Sequence, residues 1–186
     1  MSTAAIIIIV AAIAAVAVVL IFFIQKRRSD RLHTQFGPEY GRALEEYGDR
    51  RKAESELERR QKRLEKFEIR VLTPEERERF MEAWRVDQAR FVDEPKGAVI
   101  RAYELVNEVM KARGYPISAE FDQTAEDLSV EHPTVVEHYR VACDIVKRQE
   151  SGQANTEDLR NAMVNYRKLF EELLGTPVNQ PQEVRR

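Results

Sequence analysis

The sequence predicts an all-α protein: an N-terminal transmembrane helix, a long charged helix, then a compact helical bundle. Three observations carry this reading. The run from Ala4 to Ile24 contains no charge, proline or glycine. The stretch after Gly48 is almost wholly charged. From Thr73 onward, apolar residues recur at the helical period between capping and turn signals, and no window alternates with the two-residue period of a strand.

The apolar run spans 21 residues, Ala4 to Ile24. As a helix it would be roughly 32 Å long, matching the ~30 Å hydrocarbon core of a bilayer. It has no polar face, which sets it apart from an ordinary core helix. It lacks a basic leader and ends in Ile21-Phe22-Phe23-Ile24 without a small-residue cleavage site, so an uncleaved anchor over residues 1–24 is expected. Lys26, Arg27, Arg28 and Arg31 follow directly. Basic residues mark the cytoplasmic side, which places the N-terminus outside and the C-terminal domain inside. The same four side chains are the expected lipid-headgroup contacts, with membrane lipid a partner through the anchor.

Residues 25–72 read as a juxtamembrane segment, broken at Gly37-Pro38, followed by a helix from about Glu39 to Phe67. Tyr40, Leu44, Tyr47, Leu57 and Leu64 are its spaced apolar positions. The pattern fits a solvated spacer with internal ion pairs. It also fits a weak coiled-coil homodimer through residues 39–67, although the seam skips positions.

The bundle is expected over residues 73–174. Thr73-Pro74-Glu75-Glu76 is a capping box with proline at the first helical position. The helix it opens carries Phe80, Ala83, Trp84 and Phe91. After Pro95, an unbroken stripe runs through Ala98, Val99, Ala102, Leu105, Val106, Val109 and Met110, and Gly114 supplies a C-terminal stop. A short helix is expected around Ala119 to Leu128. His132-Pro133 opens a segment with Val135, Val136, Tyr139, Ala142, Cys143 and Val146 on one face. Thr156 is the expected cap of the last helix, whose buried face runs from Leu159 to Leu173. Residues 175–186 have no apolar pattern and read as a disordered tail. Single-stripe helices bury those stripes only against each other.

Several strings together resemble a family of small bacterial single-pass membrane-anchored helical proteins with no known activity. They are FGPEY at 36–40, RFVDEP at 90–95, RGYP at 113–116, DLSVEHP at 127–133 and TEDLRNAMVNYRKLFEELL at 156–174. The resemblance covers nearly all of the chain after the anchor and implies a bacterial origin; with the anchor and its basic flank, the expected location is the bacterial inner membrane. It implies no substrate, cofactor or catalytic residue.

Charge narrows the function classes. Residues 25–72 hold 14 Lys/Arg against 10 Asp/Glu, and residues 73–186 hold 16 against 22. An acidic distal domain argues against nucleic-acid binding. The single cysteine, Cys143, excludes an intramolecular disulfide and lies in an apolar stripe, where a thiol is inert. His132 and His138 are not at the i, i+4 spacing of a helical zinc pair, so no metal site and no cofactor is expected. Trp84, Asp87 and Gln88 share one helix face and form either a polar packing network or the floor of a pocket. The function expected is a non-enzymatic, membrane-tethered adaptor or scaffold for a protein partner. The alternative is a small-molecule sensor with a pocket between helices.

Overall fold

The computed structural model describes residues 3–118 and 120–175, the side chains of residues 3–12, 14, 15 and 18 excepted. Among these residues the chain is all-α, with eight helices in the order α1 (Thr3–Phe36), α2 (Pro38–Tyr47), α3 (Arg50–Leu64), α4 (Pro74–Arg90), α5 (Pro95–Arg113), α6 (Phe121–Glu131), α7 (Val136–Glu150) and α8 (Thr156–Leu174). The tail expected over 175–186 lies, beyond Gly175, outside the described residues. The chain divides into two compact units, residues 1–58 and 59–186.

The first unit corrects two expectations. No helix among the described residues is long and apolar enough to cross a membrane. That finding overturns the transmembrane helix, the single-pass anchor and the inner-membrane placement built on it. Nor does α1 stop at Ile24. It continues through the basic cluster to Phe36, and Leu32 and Phe36 at its end are fully buried. The expected juxtamembrane connection is thus a folded part of α1.

The second correction concerns the long charged helix, which is two helices. Gly48 adopts a left-handed conformation (φ 64°) and its N–H caps the Leu44 carbonyl, ending α2 after one amphipathic stretch. A residue with a Cβ is disfavoured at that φ, so the glycine sets the break. The spacer picture fails as well, because Tyr40, Ala43, Ala53, Leu57 and Leu64 are buried within the single chain.

The second unit is the bundle. α8 packs along α5 and α7, α4 lies on α5, and α6 lies on α7. Every member of the α5 stripe from Ala98 to Met110 is buried, as are Leu159, Ala162, Met163, Tyr166, Leu169, Phe170 and Leu173 of α8. The capping box at Thr73 forms: its hydroxyl accepts from Glu76 N–H at 3.2 Å, and Glu76 accepts from Thr73 N–H at 3.0 Å. Arg70 clamps the same glutamate in a bidentate pair at 2.7 and 2.8 Å, holding its carboxyl down at about 2. The cap of α8 is Asn155 rather than Thr156. Its side chain accepts from Glu157 and Asp158 N–H, and Asp158 reciprocates. α7 begins at Val136, after a turn through His132 and Pro133.

The charged end of α3 also belongs to the bundle. Arg59 and Arg60 reach Glu126 of α6 at 3.1 and 3.4 Å, and Arg63 Nε lies 3.2 Å from the fully buried Asp127. At the C-terminal end of α5, Arg113 joins four segments. Its guanidinium meets His132 Nε2 at 3.2 Å and donates to the carbonyls of Arg70 and Leu173, while Glu172 accepts from His132 Nδ1 at 3.1 Å. Burial holds His132 below the ordinary histidine range, consistent with the neutral tautomer this pattern requires.

Candidate functional site

α4 and α8 leave a groove of about 220 Å³ between them. Its floor is Trp84, whose ring stacks on Phe170 with centroids 4.8 Å apart. Phe91 also lines the groove, with Met163 and Val164 from α8. Val164 is 48% exposed, although it stands beside a buried methionine on a helix that otherwise hides its apolar side chains. Arg160 and Arg167 flank it at −4 and +3, so helical periodicity puts all three on one face.

The two arginines are held loosely. Arg160 pairs with Glu157 on exposed side chains and Arg167 with the half-buried Glu171, both within about one turn of α8. Such pairs stabilise by about 0–1 kcal/mol, so either arginine can exchange its partner for an incoming carboxylate at little cost.

The three residues expected to share a face separate here. Trp84 and Gln88 line the groove. Asp87 is buried on the side facing α5, with Arg101 Nε 3.7 Å from Oδ2. Positions i+3 and i+4 lie on opposite flanks of the Trp84 direction, about 100° apart, which is enough to split them between core and groove. Burial raises the Asp87 carboxyl, and Arg101 opposes the rise. It is a packing residue. Arg160, Val164 and Arg167 were not singled out from the sequence, and Phe91 and Met163 were read only as apolar helix positions. The signal was present as an apolar pair, Met163-Val164, too wide for the stripe of α8 and bracketed by arginines.

The other candidates are structural. Cys143 is buried, with its sulfur 3.7 Å from the Tyr166 hydroxyl, and burial pushes its thiol up to about 11. His138 is tied to Asn165 at 2.8 Å, and the His33 ring packs edge-on against Tyr40. No group of His, Cys, Asp or Glu among the described residues could hold a metal ion. Of the four basic residues after the apolar run, all are exposed, and Arg28 is bound to Glu58 at 2.7 Å. No protein-family model matches the chain, and no curated protein and no solved structure is similar to it.

Proposed function

We propose that the protein is a non-enzymatic interaction module that binds an amphipathic helical segment of a protein partner through the α4–α8 groove. A large apolar side chain of the partner seats on Trp84, and acidic residues one turn to either side meet Arg160 and Arg167. The observation that supports this most is size together with composition. A volume of about 220 Å³ falls below the ~300–1,000 Å³ of small-molecule sites but accommodates one anchoring side chain. An aromatic floor with an arginine rim is the composition of interface anchor points. The volume weighs against the reading of the groove as a small-molecule sensor site.

The test is selection of displayed helical peptides against the full chain, with binding followed by the fluorescence of Trp84, the protein's one tryptophan. Peptides with an apolar anchor between Asp or Glu residues are expected to enrich. Val164→Glu is expected to abolish their binding. Arg160→Glu with Arg167→Glu is expected to turn the preference toward basic flanks. Selected peptides that bind the Val164→Glu variant as tightly as the parent would refute the assignment of the groove.

A further inference from the structure

The first unit contains a second, larger cavity that the peptide-binding reading does not use. It lies between α1 and the start of α3, with a volume of about 640 Å³ and a wide mouth. Lys26 and Arg28 line it from α1, and Arg50 and Arg51 line it from α3, against two carboxylates, Asp30 and Glu54. The six are not equally available. Glu54 is consumed: it accepts from the Tyr40 hydroxyl and from Arg50 Nε, both at 2.9 Å. Arg50 also donates to Ser29, which is hydrogen-bonded to Tyr40 at 3.2 Å. Burial pushes the Glu54 carboxyl up, but the hydrogen bonds from Ser29, Arg50 and Tyr40 outweigh it and keep the group ionised. Arg28 is held by Glu58.

What remains is a specific set. Lys26 and Arg51 are exposed, line the cavity from opposite helices, and have no ion pair or hydrogen bond among the described residues. Asp30 presents a carboxylate with no ion pair among them. The network of buried Ser29, Tyr40 and Glu54, joined by the exposed Arg50, ties α1, α2 and α3 together, so the two cations project from a fixed wall. A ligand that satisfies this set offers anionic oxygens to both cations and one acidic O–H to Asp30. Arginine gives a planar fork of donors and lysine a point charge, a pairing suited to tetrahedral oxyanions.

We infer that this cleft binds a phosphate group, as pyrophosphate or as a phosphate monoester. Lys26 and Arg51 neutralise its oxygens, and Asp30 accepts from the P–OH of the monoprotonated form. The ester can be a free metabolite or the headgroup of an anionic lipid, since both present the same chemistry to these side chains. Arg27 and Arg31 flank Lys26 and Arg28 in sequence but do not line the cavity. They are therefore internal controls for general positive charge.

The experiment uses the full chain at low ionic strength in two arms. One titrates pyrophosphate and glycerol phosphate by calorimetry. The other sediments the protein with phosphatidylcholine vesicles containing phosphatidic acid. The pair Lys26→Gln and Arg51→Gln touches no folding contact and is expected to weaken binding about tenfold per charge removed. The pair Arg27→Gln and Arg31→Gln is expected to change it less than about twofold. Loss confined to the calorimetric arm assigns a free ester, and loss in the vesicle arm assigns a headgroup. Binding weakened equally by both pairs, or no binding in either arm, would overturn the site.

Discussion

Replacement of Gly114 by alanine isolates one backbone contact and gives it a magnitude. Gly114 ends α5 in the left-handed region at φ 93°, and a Cβ built there would lie 2.2 Å from the Glu68 carbonyl oxygen. An ordinary C···O contact needs about 3.3 Å, so the 68–70 segment must retreat by about 1 Å. That movement breaks the hydrogen bond from Arg70 N–H to the Arg113 carbonyl at 2.8 Å and the one from Arg113 Nε to the Arg70 carbonyl at 3.3 Å. The left-handed strain is roughly 1–2 kcal/mol and each lost hydrogen bond about 1 kcal/mol, for a total on the order of 3–4 kcal/mol. Gly152 is the matched control. It has φ 70° and nothing within 4 Å of its Cβ position, so Gly152→Ala carries the strain alone, roughly 1–2 kcal/mol. The assay is urea denaturation of the full chain followed by Trp84 fluorescence, which reports the unit containing both glycines. A gap of about 2 kcal/mol between the variants is expected, about a thirtyfold ratio in unfolding constant. Equal losses would show that left-handed geometry, and not the approach of Glu68, is what demands glycine at 114.

Two further tests address buried ionisable groups. Burial raises the Asp127 carboxyl to about 6, against the attraction of Arg63, so the folded state holds a proton that the unfolded state releases near 3.9. Stability of the bundle is therefore expected to fall by roughly 3 kcal/mol as pH rises from about 4 to about 6, and Asp127→Asn, measured by urea melts across that range, is expected to flatten the slope. For Cys143, a thiol held at about 11 has so little thiolate that a polar thiol reagent is expected to modify the native chain at least about 100-fold more slowly than the denatured one. Equal rates would place the sulfur at the surface.

The bundle was legible from its sequence because its determinants are local. The α5 stripe, the Thr73 capping box and the Gly114 stop each need only neighbours within two turns, and each forms in the structure. The errors fall where a decision depends on distant chain. Arg59, Arg60 and Arg63 look like a solvated face, because nothing nearby shows that Glu126 and Asp127 will stand opposite them. Leu57 and Leu64 repeat at the spacing of a dimer seam, yet both are buried within one chain. Gly48 was visible as a glycine, but the charge-rich stretch after it reads as one continuous helix, and its left-handed capping of α2 shows only in the structure.

The same distinction explains why the two proposed sites were harder to read than the core. A core position declares itself by repetition, since each buried residue is one of a stripe. A binding position declares itself by departure from repetition, and a departure has meaning only when its surroundings are known. Val164 breaks the α8 stripe by one residue, and the break becomes a site only because Trp84 of α4 provides a floor beside it. Lys26 is one of four cations within six residues, and becomes distinct only because Arg51, a loop and a helix later, lines the same cavity while Arg28 is taken by Glu58. In both places the useful information is which charges the fold has already neutralised. Arg160 and Arg167 keep weak, exchangeable partners, and Lys26 and Arg51 have none among the described residues, whereas Arg63 and Arg113 are committed to holding helices together. Composition counts all of these arginines alike, and the hydrogen-bond pattern sorts them into those that build the fold and those left to meet a ligand.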